Sequence, residues 1–528
     1  MFSSNRQIAR AAGVVMMALI VGQIAGLLRS ILVAHLFGAS AELSAFYYGN
    51  RVSETLFLLV AGGALGSAFI PTFTGLLAKG EHTAAWRLAI SLARFVTLTL
   101  GLLAGLAALF APQIVRHVLA PGFSTDPGLF SLTVDLLRIQ LISAVLFGLG
   151  GLMVGVLNAH QVFLVPALTP AMYQLGILFG ALALAPRWGV YGLAWGVVIG
   201  AALYVALQVP AVWRLRPDLA VRTAWCKMLD TDVRHVLALM GPRVIGVAVV
   251  QINFWVNGYL ASFMGQASMA GLSYGFSLML MAQAAIAQSV AIAAMPTFSA
   301  QHALGQQEAL RSSLAASLRG VILLAVPASL GLIVLRQPLV AMLFQRGAFD
   351  MSSTELVAWA LLWYAAGLVG HSVLEVLTRV FYAQHDTRTP VQIGGMAMLL
   401  NIGLSIALSQ LFVRVGWMPH GGLALANSLA TALEATALFA LLRRRLGGLE
   451  DGWIARGALQ ATLAALGMSL ALGAWSRAAA ELNRWLVGLG GVALGGVLYG
   501  AILFLWRVPE VWQAWDWMVR QIRRLAGG

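Results

Sequence analysis

The sequence predicts an all-α polytopic membrane protein of about fourteen transmembrane helices, in two parallel six-helix lobes followed by a C-terminal helix pair. Three observations carry this reading. Of the 528 residues, 60% are hydrophobic and only 10% are charged, whereas a soluble chain carries about a quarter charged residues; the mean hydropathy is +0.85. The apolar residues come in runs long enough to cross a hydrocarbon core about 30 Å thick at a helical rise of about 1.5 Å per residue. Short marks in the first half also return in the second at a nearly constant separation.

Taken in order, the spans begin near Ala11, Ser44, Trp86, Gly128, Gln161, Trp188, Leu237, Ser268, Leu314, Ser353, Thr389, His420, Gly452 and Trp485. Turn chemistry separates them: Ala120-Pro121-Gly122-Phe123, Arg346-Gly347, His420-Gly421-Gly422 and Gly447-Gly448. The segment Met1–Arg10 precedes a long apolar run with no small-residue cleavage site at signal-peptide distance, so the run reads as a retained first span. The longest polar stretch, Arg214 to Arg234, divides the halves. The expected organisation is an N-lobe over 1–213, a cytoplasmic linker over 214–236, a C-lobe over 237–446, and a helix pair with a basic tail over 447–528.

Charge placement sets the orientation. With the N-terminus inside, most of the 33 Lys and Arg residues fall in cytoplasmic segments, notably Arg214, Arg216, Arg222, Lys227 and Arg234, the run Arg443 to Arg445, and Arg520, Arg523 and Arg524. The opposite side keeps only Arg116, Arg187, Arg336, Arg346, Arg414, Arg477 and Arg484. This is the positive-inside bias expected of an even span number with both termini cytoplasmic, in a bacterial inner membrane. The net charge of +14 is therefore no sign of nucleic-acid binding, because the basic residues sit in breaks between apolar runs. A lone cysteine, Cys226, excludes a disulfide framework and a multi-cysteine metal site, and reads as an ordinary free thiol in the linker.

The repeat is visible residue by residue. Pro71-Thr72-Phe73 returns as Pro296-Thr297-Phe298, Tyr48-Gly49 as Tyr274-Gly275, Gly80 as Gly305, and Arg94 as Arg319. Asn158-Ala159-His160 with Pro166 corresponds to Tyr382-Ala383-Gln384 with Pro390. Six spans per copy make the copies parallel, and parallel repeats are transporter architecture with a solute site expected at their interface.

An ionisable side chain at mid-bilayer costs about 2.5–3.5 kcal/mol on insertion scales and marks a cavity or a partner. Arg29 lies inside span 1 with no acid three or four residues away, which favours an anion contact in a cavity. Arg51 and Glu54 share one face of span 2, beside Asn50, and read either as a self-satisfied pair or as cavity groups. Arg243 lies in span 7, near Gln251, Asn253 and Asn257. Asp135 and Arg138 read as a structural ion pair. Glu375 and His371 share a face of span 10, where they serve a proton or cation or simply hydrogen-bond within the helix. Glu434 in span 12 has no neighbouring base, so it titrates or pairs across helices, while His160 and His385 lie in loops exposed to water. No metal-spaced cluster, phosphate-binding glycine loop or nucleophile elbow occurs, so neither a resident cofactor nor ATP bound to this chain is expected.

The order Gly26-Leu27-Leu28-Arg29, Leu36-Phe37-Gly38-Ala39, Ser44-Ala45-Phe46, Ala68-Phe69-Ile70-Pro71, Ala120-Pro121-Gly122-Phe123, Met240-Gly241-Pro242, Phe344-Gln345-Arg346-Gly347 and Asp386-Thr387-Arg388-Thr389-Pro390 resembles the MurJ/MviN lipid II flippases. The resemblance runs from span 1 through span 12. It implies the multidrug/oligosaccharidyl-lipid/polysaccharide exporter fold and a central cationic cavity. The implied substrate is an undecaprenyl-pyrophosphate-linked peptidoglycan precursor, with alternating access driven by membrane potential or an ion gradient. The final helix pair is implied to form a groove for the polyprenyl tail, with other cell-wall synthesis proteins as possible partners. On this reading Gln23, Arg29, Asn50, Arg51, Glu54, Arg243 and Asn253 line the pyrophosphate cavity, and His371, Glu375 and Glu434 are the candidates for ion coupling.

Several positions depart from the family pattern. Gln23, Ser30, Ser44, Phe57, Ser277 and Leu280 stand where the family usually carries charged residues. The remaining cationic chemistry is concentrated in the first lobe. Two other readings stay open: a cation-coupled exporter of another lipid-linked oligosaccharide or amphipathic small molecule, and a non-transporting scaffold for cell-wall assembly.

Overall fold

A computed structural model describes residues 2–60, 66–215, 231–479 and 481–526. The described elements are helices joined by short turns. Short helical segments over 111–125 and a nine-residue helix, Arg336–Phe344, apart, they are in chain order α1 (Phe2–Phe37), α2 (Ala41–Val60), α3 (Gly66–Ala78), α4 (His82–Leu109), α5 (Pro127–Ala159), α6 (Leu164–Trp188), α7 (Val190–Leu215), α8 (Thr231–Ser262) and α9 (Ser268–Ala303). They continue with α10 (Gln307–Val334), α11 (Met351–Ala366), α12 (Leu368–Ala383), α13 (Arg388–Val415), α14 (His420–Leu446), α15 (Asp451–Ala478), α16 (Arg484–Leu505) and α17 (Pro509–Ala526). Every expected span start falls on or beside one of the first sixteen helices.

Among the described residues, 10 helices are long and apolar enough to cross a membrane, and the pair α11 and α12, bent by 48°, makes up to 11. Helix α2 falls short of that test because Asn50, Arg51 and Glu54 interrupt its apolar run. Of α1, the described apolar part is Val21–Phe37.

Contacts divide the chain into two compact units, Met1–Ala270 with Arg346–Phe349, and Gly271–Gln345 with Asp350–Gly528. The segment 216–230, which holds Cys226 and most of the expected linker, lies outside the described residues. Helix α8, read from the sequence as the opening of the C-lobe, packs in the first unit: Val233, Val236 and Met240 join Phe69, Phe73, Trp86 and Leu92 in one apolar cluster.

The repeat is carried into geometry. Phe73 and Phe298 are both fully buried, as are Tyr48 and Tyr274. Gly49 lies against the backbone of Leu136 and Leu137, and Gly275 against that of Ala360 and Leu361, so α2 meets α5 as α9 meets α11. Asp126 caps α5 by accepting from the Gly128 and Leu129 N–H groups, and Asp350 caps α11 by accepting from Ser353 N–H. These bonds lower the Asp350 pKa. Gly80 and Gly305 both take φ in the left-handed region, and so do Gln161 and His385. His385 is exposed as expected. His160 is not: its ring packs against Phe73 and Trp86, with centroids 5.6 and 6.2 Å away, and its Nδ1 lies 2.9 Å from the Val156 carbonyl oxygen.

Helices α6 and α7 approach through glycine. An added Cβ at Gly176 would meet the Gly200 backbone, and one at Gly180 the backbone of Gly192 and Gly196. Within a membrane, where apolar burial gives little drive for helices to associate, such close backbone contact is the main source of adhesion. Gly196→Leu should therefore separate the pair. Overpacking typically costs about 1–3 kcal/mol, and a lowered Tm of the detergent-solubilised protein is the expected result.

At the turn before α13, Asp386 accepts from Thr389 N–H (3.0 Å), Thr389 Oγ1 (2.6 Å) and Arg445 (2.6 Å). Desolvation alone would raise its pKa; the bonds from Thr389 and Arg445 overcome this and bring it from 3.8 to about 2. A depressed carboxylate stabilises the fold above its unfolded pKa and loses that contribution as pH falls through the folded value. The stability gap between the wild type and Asp386→Asn should be full above about pH 4 and vanish towards about pH 2, as read by acid unfolding in detergent.

Candidate functional site

Helix α2 presents three faces of different chemistry. On one, Gly49 admits the α5 backbone, and Ser53 and Ser143 hydroxyls lie 2.7 Å apart. On the second, Tyr48 Oη donates to the Gly258 carbonyl at 2.8 Å, and Thr55 Oγ1 accepts from Trp255 Nε1 at 2.9 Å and lies 3.3 Å from Gln251 Oε1. These bonds fasten α2 to α8. The third face carries Tyr47, Asn50, Arg51 and Glu54 at helical spacing. Arg51 donates to Glu54 at 3.2 Å and lies over the Phe254 ring at 5.0 Å, while its buried Nε has no hydrogen-bond partner among the described residues. Glu54 is 46% exposed. The pair expected from the sequence is present, and its open side retains donor capacity.

Helices α1 and α6 bring further groups to this face. Gly22 and Gly26 of α1 pack against Ala171 and Gln174, which sets Arg29, two turns beyond Gly22, along the same side. Arg29 is half-buried and donates to Ser30 Oγ at 3.3 Å. No carboxylate lies within ion-pair distance of it among the described residues. Tyr173 of α6 joins the cluster, within electrostatic reach of Arg29 and Glu54 and hydrogen-bonding reach of Asn50. The sequence reading passed over Tyr173 because it sits in an apolar run with no charged neighbour. Its one sequence signal is the polar Gln174 beside it.

Gln23 is exposed on α1. Asn253 is 1% exposed, and its Oδ1 has no hydrogen-bond partner among the described residues. The Arg243 side chain lies outside the described residues. Ser44 is fully buried, and its hydroxyl accepts from Ala270 N–H at 3.1 Å. Asp135 and Arg138 stand 4.0 Å apart and half-exposed, with Arg138 Nε donating to the Ala108 carbonyl and Tyr191 to Asp135.

In the second unit the matching face is uncharged. Phe276 packs on Tyr364, Ser277 donates back to Ser273 at 2.7 Å, and Leu280 is exposed. Below it, Glu375 pairs with Arg379 at 2.7 Å instead of with His371, whose Nε2 lies 3.1 Å from Asn427 Oδ1. Glu434 faces Gly394, and no ion pair to it occurs among the described residues. The same unit holds an apolar cavity of about 310 Å³ lined by Leu324, Leu335, Met468, Leu472, Gly495 and Tyr499, among others from α9, α10, α15 and α16. Glycines on α16 open it, and Tyr499 Oη fixes one wall by donating to the Leu323 carbonyl at 2.6 Å.

The fold is similar to a solved structure of "Lipid II flippase MurJ, inward closed conformation", with a TM-score of 0.78 at 22% identity over 93% of this chain and 98% of that one. It is also similar to an inward-facing multidrug resistance MATE family transporter of the MOP superfamily, at 0.67 and 14% over 83% and 99%. The helices thus define a polytopic membrane protein with the fold these two structures share. A family model described as lipid II flippase MurJ matches residues 33–489. The Burkholderia cenocepacia lipid II flippase MurJ is 31% identical over 82% of this chain and 84% of its own length. A probable lipid II flippase MurJ of Vibrio cholerae is 30% identical over 81% and 82%. The chain belongs to the MurJ family.

The α2–α8 fastening is testable. Thr55→Val keeps the shape but strands the Trp255 N–H and leaves Gln251 without its hydroxyl neighbour. An unsatisfied buried polar group costs about 1–3 kcal/mol, so a lowered Tm with normal membrane insertion is expected.

Proposed function

We propose that this protein is a transporter, not an enzyme, that flips the undecaprenyl-pyrophosphate-linked peptidoglycan precursor lipid II across the bacterial cytoplasmic membrane by alternating access. Family membership is the observation that carries the reading, and the two chemical features support it separately. A pyrophosphate requires fixed positive charge where water is scarce, because attraction strengthens as the dielectric falls. Arg29 and Arg51 supply planar, permanently charged forks with unused donors. A long polyprenyl chain requires an apolar wall, and the α15–α16 cavity provides one.

The energy source in this reading is the membrane potential or an ion gradient. Glu375 is neutralised by Arg379 and His371 is engaged with Asn427, which leaves Glu434 as the first candidate for a coupling carboxylate. Both termini are assigned to the cytoplasm by the charge bias, and other cell-wall synthesis proteins are natural neighbours.

Complementation of a flippase-depleted bacterium tests the proposal. The wild-type chain should restore growth, while Arg29→Ala and Arg51→Ala at equal membrane levels should not. Failure of a normally inserted wild type would overturn the function; growth unaffected by either alanine would overturn the site. Gly495→Phe should fill the apolar cavity and abolish complementation without loss of insertion.

A further inference from the structure

Arg94 and its repeat counterpart Arg319 have different fates. Arg94 is exposed on α4. Arg319 on α10 is 3% exposed, because α15 and α17 cover it. Its Nε lies 2.6 Å from Glu510 Oε1, its Nη1 donates to the Trp453 carbonyl at 2.8 Å, and its guanidinium lies over the Trp453 ring at 4.6 Å. Gly457 makes room for it, since an added Cβ there would meet the arginine stem. This buried cation is thus spent on holding the first turn of α17, a helix the sequence reading took as a basic tail.

Helix α17 has its own chemistry. Trp506, Arg507 and Val508 alone separate it from the end of α16, and Arg507 turns the chain with φ of 52°. Trp512 then stacks on Phe504 at 4.5 Å and donates to the Phe504 carbonyl. Val511, Trp515 and Val519 recur at four-residue spacing on one side, and Trp515 is 47% exposed. In the sequence, Asp516, Arg520 and Arg524 recur at the same spacing on the opposite side, and Arg523 falls at the border between the two. An apolar stripe with tryptophan and a basic reverse is the pattern of a helix lying in the bilayer interface. Its root is tied to the start of α15 through Arg319, which reaches both Glu510 and Trp453.

We propose that α17 lies in the membrane surface and binds anionic lipid headgroups through Arg520, Arg523 and Arg524, with the Glu510–Arg319 ion pair fixing it to the transport unit. The short link to α16 places the helix within reach of headgroups. The basic side complements the anionic lipids of a cytoplasmic leaflet, and the exposed Trp515 suits the interface. The proposal rests on the membrane location of the chain and not on the identity of its substrate.

The test uses the full chain with Cys226→Ser and a nitroxide on Val519→Cys, in nanodiscs of phosphatidylcholine with and without phosphatidylglycerol. The label should be accessible to oxygen and protected from a water-soluble nickel chelate, more strongly in the anionic discs. Arg520→Gln/Arg523→Gln/Arg524→Gln should abolish the difference between the two lipids. Glu510→Gln should sharpen the label spectrum through greater helix mobility and leave the lipid difference in place. Equal nickel accessibility in both lipids overturns the lipid site. Spin–spin broadening in both lipids identifies a second copy as the occupant and overturns it as well. An unchanged spectrum in Glu510→Gln overturns the role given to the ion pair.

Discussion

Inside a hydrocarbon slab, every polar group that does not meet water must find its partner within the protein, and α2 is where that constraint presses hardest. Its backbone is satisfied by being helical. Its side chains divide by face: serine and glycine towards α5, a tyrosine and a threonine towards α8, and an arginine–glutamate pair on the open side. The first two faces fix the helix rotation, and rotation decides where Arg51 points. Arg29 of α1 and Tyr173 of α6 are brought together in the same way, because the α1 glycines pack against α6.

The second copy keeps the backbone rules and abandons the chemistry. Gly275 still admits its neighbour, Tyr274 is still buried, and Asp350 still caps the helix that follows. Phe276, Ser277 and Leu280 replace the polar triad. Residues that hold helices together are constrained by close packing, where even one methylene is felt. Residues on an open face escape that constraint and diverge. Arg319 shows the converse: an open-face position became buried once extra helices covered it, and its charge had to be satisfied by Glu510, the Trp453 carbonyl and the Trp453 ring.

Much of this was legible in the sequence because it is local or periodic. Hydropathy located the helices, turn residues located the breaks, and repeat spacing paired Gly49 with Gly275 before their packing was known. The Arg51–Glu54 pair followed from helical spacing alone. What escaped was tertiary. Tyr173 and Thr55 gain their roles from chain segments far away in sequence, and neither breaks an apolar pattern. Glu375 could bond one turn down to His371 or one turn up to Arg379; charge attraction favours Arg379, and Asn427 of another helix takes the histidine. The contrast between half-buried His160 and exposed His385 turns on whether aromatic rings are at hand, as Phe73 and Trp86 are for His160.

An amphiphile with a compact charged head and a long hydrocarbon tail poses two solvation problems that one surface cannot solve. A cavity lined by arginine holds an anionic head by charge attraction and hydrogen bonds, while a groove lined by leucine, glycine and methionine excludes charge because it cannot solvate it. The duplicated fold offers a route to both, because each copy supplies the same scaffold and only one needs to keep the cations. The second unit, relieved of that requirement, carries the apolar cavity between α10, α15 and α16. With the proposed cargo, the asymmetry between the copies matches a two-part chemistry of charged head and hydrocarbon tail that a small hydrophilic ion would not present.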